Sequence, residues 1–133
     1  MRAYRAGFRP GALAAPHAIL ALAVYCADTD HAAERMASSV LRSFVDLRSG
    51  QPRRLPSPDE VAARGFSPVE QAAIAGYRRR QITGTPGAVR ARLEQAARLT
   101  GADEVMLATH AHDPAARLRS FELVAEAFGL PGC

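Results

Sequence analysis

The sequence contains no lysine and no tryptophan, and its two cysteines, Cys26 and Cys133, stand near opposite ends of 133 residues. Each shortage excludes something. Cysteines so widely separated make neither a metal-ligand spacing nor a disulfide framework, and a reducing, cytoplasmic setting is the default expectation. Without lysine, and without the second glycine of a P-loop after Gly84, there is no P-loop, and nucleoside triphosphate binding is disfavoured. All seventeen basic residues are arginine. Beside abundant Ala, Gly and Pro, that reflects the coding bias of a GC-rich genome, so the formal net charge of +4 is a weak argument for nucleic acid. No basic stripe is interleaved with aromatics, and nucleic acid is set aside as a partner. Long apolar runs are scarce too. "AILALAVYCA" (18–27) follows Arg2, Arg5 and Arg9 and so imitates a secretory signal. Pro16 and His17 break its start, Tyr25 spoils the small-residue pattern, and the run is too short to cross a bilayer. A buried strand is expected there, and no membrane partner.

What remains is 48% hydrophobic and 23% charged, enough for one domain with a real core. The run 18–27 reads as a strand buried on both faces, the kind found in parallel sheets covered by helices. Through 29–50, Ala33, Met36, Val40, Phe44 and Leu47 recur every three or four residues and predict a helix. Asp28 or Thr29 caps it, Asp30 suits its positive end, and Gly50 stops it. Ser57-Pro58-Asp59-Glu60 and Ser67-Pro68-Val69-Glu70 each read as a capping box with proline at the first helical position. A short strand at 81–84 leads through Thr85 as cap and Pro86 into a further helix, which Gly101 breaks. A third strand, 103–109, leads through "HAHD" (110–113) into a last helix that opens on Asp113-Pro114. Repeated strand–helix units predict an α/β fold: parallel strands with right-handed crossovers and covering helices, doubly wound or part of a barrel.

Five segments carry a resemblance: "YRAGFRP" (4–10), "ADTDHAAERMASS" (27–39), "ITGTPGAV" (82–89), "TGADEVMLAT" (100–109) and "HDPAARLRSFELVAEAFGL" (112–130). In this order they resemble the C-terminal portion of bacterial luciferase-like flavin-dependent monooxygenases, over nearly the whole chain. Gly11 departs from the pattern, since many relatives carry Ser there. The resemblance implies a (β/α)8 TIM barrel that binds reduced FMN, or in some branches the deazaflavin F420, and oxygenates or passes a hydride to a small-molecule substrate. Such a barrel needs about 250 residues, and three strands are counted here. The expectation is therefore the last three βα units of a barrel, with 1–133 as one C-terminal fragment and Met1 inside a connecting region. Its partners would be a missing N-terminal half or a second copy in a homo-oligomer. A non-catalytic truncated barrel that pairs its open sheet edges with another chain is the rival function.

In parallel βα folds ligands gather at the carboxyl ends of the strands. At Gly84-Thr85, free N–H groups could hold an anion such as a flavin phosphate; a plain capped turn is the leading alternative. His110 and His112 are two apart at the end of the third strand. They are candidates for acid–base work at the mouth of the site, or for a solvated loop. No third or fourth ligand accompanies them, and no metal is expected. Period-two alternation puts Ile19, Ala21, Ala23 and Tyr25 on one face. Sulfonate-oxidising relatives carry charged or imidazole groups there, so Ala21 and Ala23 imply an apolar or neutral substrate, with Tyr25 near the flavin. Small residues that merely let a barrel interior pack are the equal alternative. The stretch 51–67 corresponds to a mobile lid in relatives, and Arg53 and Arg54 could meet a flavin phosphate as it closes, or stay solvated.

Overall fold

The computed structural model describes residues 1–131, so Cys133 lies outside the described residues. The element order is α1 (Arg2–Ala6), β1 (Ile19–Cys26), α2 (Asp30–Arg48), α3 (Pro58–Arg64), α4 (Pro68–Arg78), β2 (Gln81–Gly84), α5 (Pro86–Thr100), β3 (Glu104–Ala108) and α6 (Pro114–Phe128). Local chemistry explains most boundaries. The Thr29 hydroxyl accepts from the Ala32 N–H at 3.1 Å and opens α2. Both capping boxes form, Ser57 with Glu60 and Ser67 with Glu70, and Asp113 caps α6 through the Ala115 N–H at 3.0 Å. Gly50, at φ +70°, follows the end of α2 as only glycine does readily. Thr85 is a correction. It occupies the N-cap position of α5, but its side chain makes no cap bond; instead its backbone N–H donates to Asp30 Oδ1 at 3.2 Å.

All three strands are parallel, in the order β2-β1-β3. That differs from the β1-β2-β3 succession of three consecutive barrel units. From the end of β1 the chain makes a long excursion through α2, α3 and α4 and returns to the edge of β1 opposite β3. The crossovers then run in opposite directions, and a common right-handedness requires them on opposite faces. They are: α5 and α6 supply Val89, Leu93, Leu123 and Val124 against Val24, Cys26 and Ile82 on one face. On the other, Met36 and Ala37 of α2 pack on Tyr25. The alternation expected along β1 is thus realised, with Tyr25 and Cys26 on opposite sides.

The pairing along β1 is offset. β3 pairs with Ile19 to Ala23 and β2 with Ala23 to Cys26, so the two neighbours overlap only at Ala23. Where β3 has ended, side chains replace it. The Thr109 hydroxyl donates to the Val24 carbonyl at 2.7 Å, and the Cys26 N–H donates to Ser120 Oγ at 2.9 Å.

The expected lid divides in two. Residues 51–57 have no regular structure, while α3 is bound to α2, as is α4 just beyond the expected lid. Leu41 and Val45 of α2 pack on Ile74 of α4, and the buried Arg42 guanidinium joins three elements. It reaches Asp46 Oδ1 at 3.2 Å, the Gly65 carbonyl at 3.4 Å and Glu70 Oε1 at 2.5 Å. Arg42 also lies over the Phe66 ring. That hydrogen bond to Arg42, joined by the Ser67 N–H, holds the Glu70 carboxyl down at about 2.

Two predictions follow from this packing. Leu93→Ala should destabilise the chain by about 2–5 kcal/mol in denaturant melts, the usual range for a leucine deleted from a core. Because the folded-state pKa of Glu70 lies below the ordinary 4.5, its contribution is complete above about pH 4.5 and fades as pH falls toward 2. Thermal melts of Glu70→Gln should therefore show a flatter loss of stability across that interval than wild type.

Candidate functional site

β1 is followed by a helix on one face of the sheet, and β3 by a helix on the other. Between two such neighbours the chain diverges at the carboxyl ends, which is where open α/β sheets form ligand crevices. A cavity of about 770 Å³ opens there. Its apolar wall includes Ala27, Met36, Ala111 and Ala116, and its polar groups include Asp28, His31, His112 and Arg119. The start of α3 forms the rim, tied across by Arg35 to Asp59 Oδ1 at 2.7 Å. Arg119 is held from behind by Glu126 at 3.0 Å and Glu122 at 3.4 Å. Its charge is therefore largely balanced before any ligand arrives.

The expected site residues fall in three places. His112 lines the crevice, while His110 is exposed and outside its lining. Tyr25 is fully buried beneath the floor against Met36, which lines the crevice above. Its hydroxyl approaches the His110 backbone yet has no hydrogen-bond partner of acceptable geometry. Burial, with Tyr77 nearby, pushes its pKa to about 12. Cys26, likewise buried, is pushed to about 11 by burial and then by Asp28, with Arg119 opposing. Both groups are neutral near pH 7, and the thiol is no ready nucleophile.

Gly84 and Thr85 form a neighbouring corner that the protein itself fills. A Cβ placed on Gly84, at φ +150°, would stand 3.2 Å from Asp30 Oδ1, the same atom that accepts from Thr85. A carboxylate thus occupies the position a phosphate would take at the start of α5. Arg53 and Arg54 line a separate cleft of about 240 Å³ with Arg42, Asp46 and Arg64, and Arg54 pairs with Glu60. The structure brings His112 to the crevice and leaves these arginines elsewhere. The residue missed in the sequence is His31. Its signal was position, since a side chain in the first turn after a strand stands at the carboxyl edge of the sheet. No cluster of three or more His, Cys, Asp or Glu able to hold a metal occurs among the described residues. No helix among them is long and apolar enough to cross a membrane.

No family model matches the chain. It is 36% identical over 121 residues to an Escherichia coli (strain K12) protein named luciferase-like monooxygenase, covering 90% of this chain and 36% of that protein. It is 36% identical over 124 residues to the Bacillus subtilis (strain 168) protein YvbT, covering 92% and 37%. The crystal structure of apo-MsnO8 superposes with a TM-score of 0.88 at 35% identity, covering 99% of this chain and 41% of that one. The chain is homologous to these proteins and spans little more than a third of the length of the curated relatives it matches.

The orphaned hydroxyl beneath the crevice yields a prediction. A buried hydroxyl without a partner costs about 1–3 kcal/mol, so Tyr25→Phe should leave stability unchanged or raise it in urea melts. A clear loss would show that the hydroxyl is engaged.

Proposed function

We propose that this homologue of luciferase-like monooxygenases forms part of a flavin-dependent oxidoreductase, and that the crevice between β1 and β3 is its share of the active site. The observation that carries the proposal is the coincidence of that homology with an apolar-walled crevice where the chain diverges beyond β1 and β3. Reduced FMN would supply the electrons and oxygen the inserted atom. The chain's own contribution would be a dry wall beside the ring, with His31 and His112 as proton-handling groups at the mouth. The rim anchored by Arg35 and Asp59 would help to exclude water.

The residues present fit the ring of a flavin better than its phosphate. The starts of α2, α3 and α6 are each capped by their own side chains, and Asp30 occupies the start of α5. A phosphate group would find no free helix N-terminus here, so it would be held by polypeptide beyond this chain. The balanced charges in the crevice favour an apolar or neutral substrate over an anion. A deazaflavin-dependent reductase on the same scaffold fits the same geometry. A non-catalytic role through pairing with another chain is favoured by a different observation, the open sheet edges: β3 has no outer neighbour, and Ile19 and Met106 are 46% and 53% exposed.

The test is a fusion of this chain to the portion of the Escherichia coli relative that it does not match. The isolated chain should bind FMN poorly in fluorescence titrations, and the fusion at micromolar concentration or better. Preference of the folded fusion for the deazaflavin would move the assignment to the reductase, and binding of neither would overturn both flavin readings.

A further inference from the structure

Gln81 opens β2 on the face that α2 covers. The register sets this. Val24, Cys26 and Ile82 point toward α5 and α6, so Gln81 and Thr83 stand with Tyr25 on the opposite face. The Gln81 side chain is 3% exposed, yet neither Nε2 nor Oε1 has a hydrogen-bond partner. An amide orphaned at that depth is costly, and buried polar groups are nearly always paired.

Gln81 lines a cavity of about 160 Å³ together with Thr83, with Glu34 and Ala37 of α2, with Arg78 at the end of α4 and with Arg92 of α5. No residue of β1 contributes to it. The outer edge of β2 beside it is closed by the chain itself. Gly84 turns its carbonyl to Ala27 on the β1 side, so alternation turns those of Gln81 and Thr83 outward, and Arg92 donates to them at 2.9 and 3.4 Å. Two further charges are left over. Among the described residues Glu34 and Arg78 make no ion pair, either with each other or with any other group. The cavity thus presents a carboxylate on one wall, a guanidinium on another, and an amide with a free donor and a free acceptor. Water would satisfy the amide alone. The complement of the whole set is a molecule with one negative and one positive end.

We propose that this cavity binds a small zwitterion, an α-amino acid no larger than serine. Its carboxylate meets Arg78, its ammonium meets Glu34, and the Gln81 amide takes the remaining hydrogen bonds. Size sets the upper limit: the cavity holds the liquid volume of about five waters, which admits glycine, alanine or serine and excludes a nucleotide or a flavin. The inference is independent of the flavin reading, since the cavity lies under α2 and shares no residue with the crevice.

The test is calorimetric titration of alanine into the full chain and into the fusion described above. Both should bind it at millimolar concentration or better. Propionate, which lacks the ammonium, and ethylamine, which lacks the carboxylate, should bind at least tenfold more weakly. Gln81→Leu removes the orphaned amide at similar volume, so it should weaken alanine binding at least tenfold without lowering the melting temperature. Glu34→Gln decides the matter if the leucine variant fails to fold. Glu34 is exposed, and its variant should lose the preference for alanine over propionate. Equal binding of the three probes, no binding of alanine by either protein, or binding by the chain that vanishes in the folded fusion would each overturn the proposal.

Discussion

The offset pairing of β1 is the constraint from which the rest of the molecule follows. One strand serves two neighbours but meets them along different halves, with Ala23 as the only shared position. At the carboxyl end, β3 stops short, and the Thr109 and Ser120 side chains complete the hydrogen bonding of β1. Buried backbone groups demand partners, so those two residues let the strand continue beyond its neighbour and open the crevice. At the other end β2 has not begun, and no strand among the described residues stands in its place. One offset thus opens the crevice at one end of β1 and leaves Ile19 to Leu22 paired on the β3 side at the other.

Much of this was legible in the sequence because it rests on local chemistry. Capping boxes at Ser57 and Ser67, the Asp113-Pro114 start of α6 and the apolar run of β1 act over a few residues, and their signals survive in a linear reading. Strand order is not local. The same three strand segments suit a barrel succession or a central β1, and only contacts between residues far apart in sequence distinguish the two. The Thr85 cap failed for a related reason: a carboxylate from Asp30, distant in sequence, reached the free N–H first. His31 was overlooked because helix-start residues are read for capping before they are read as side chains facing a ligand.

The crevice and the homology bear on each other. The homologous stretch spans only about a third of its curated relatives, and the helix starts around its crevice are already occupied by their own or a neighbouring side chain. Division of labour within a barrel has this character, because catalytic residues there come from the ends of several different strands.

The buried Arg42 has a mechanical consequence. One guanidinium fastens the end of α3 and the start of α4 to the middle of α2, and Arg64 adds a second tie to Asp46 at 3.2 Å. The part of α3 that rims the crevice is therefore riveted to α2, which itself packs on the sheet through Met36 and Ala37, so the rim keeps its place as one fixed plate.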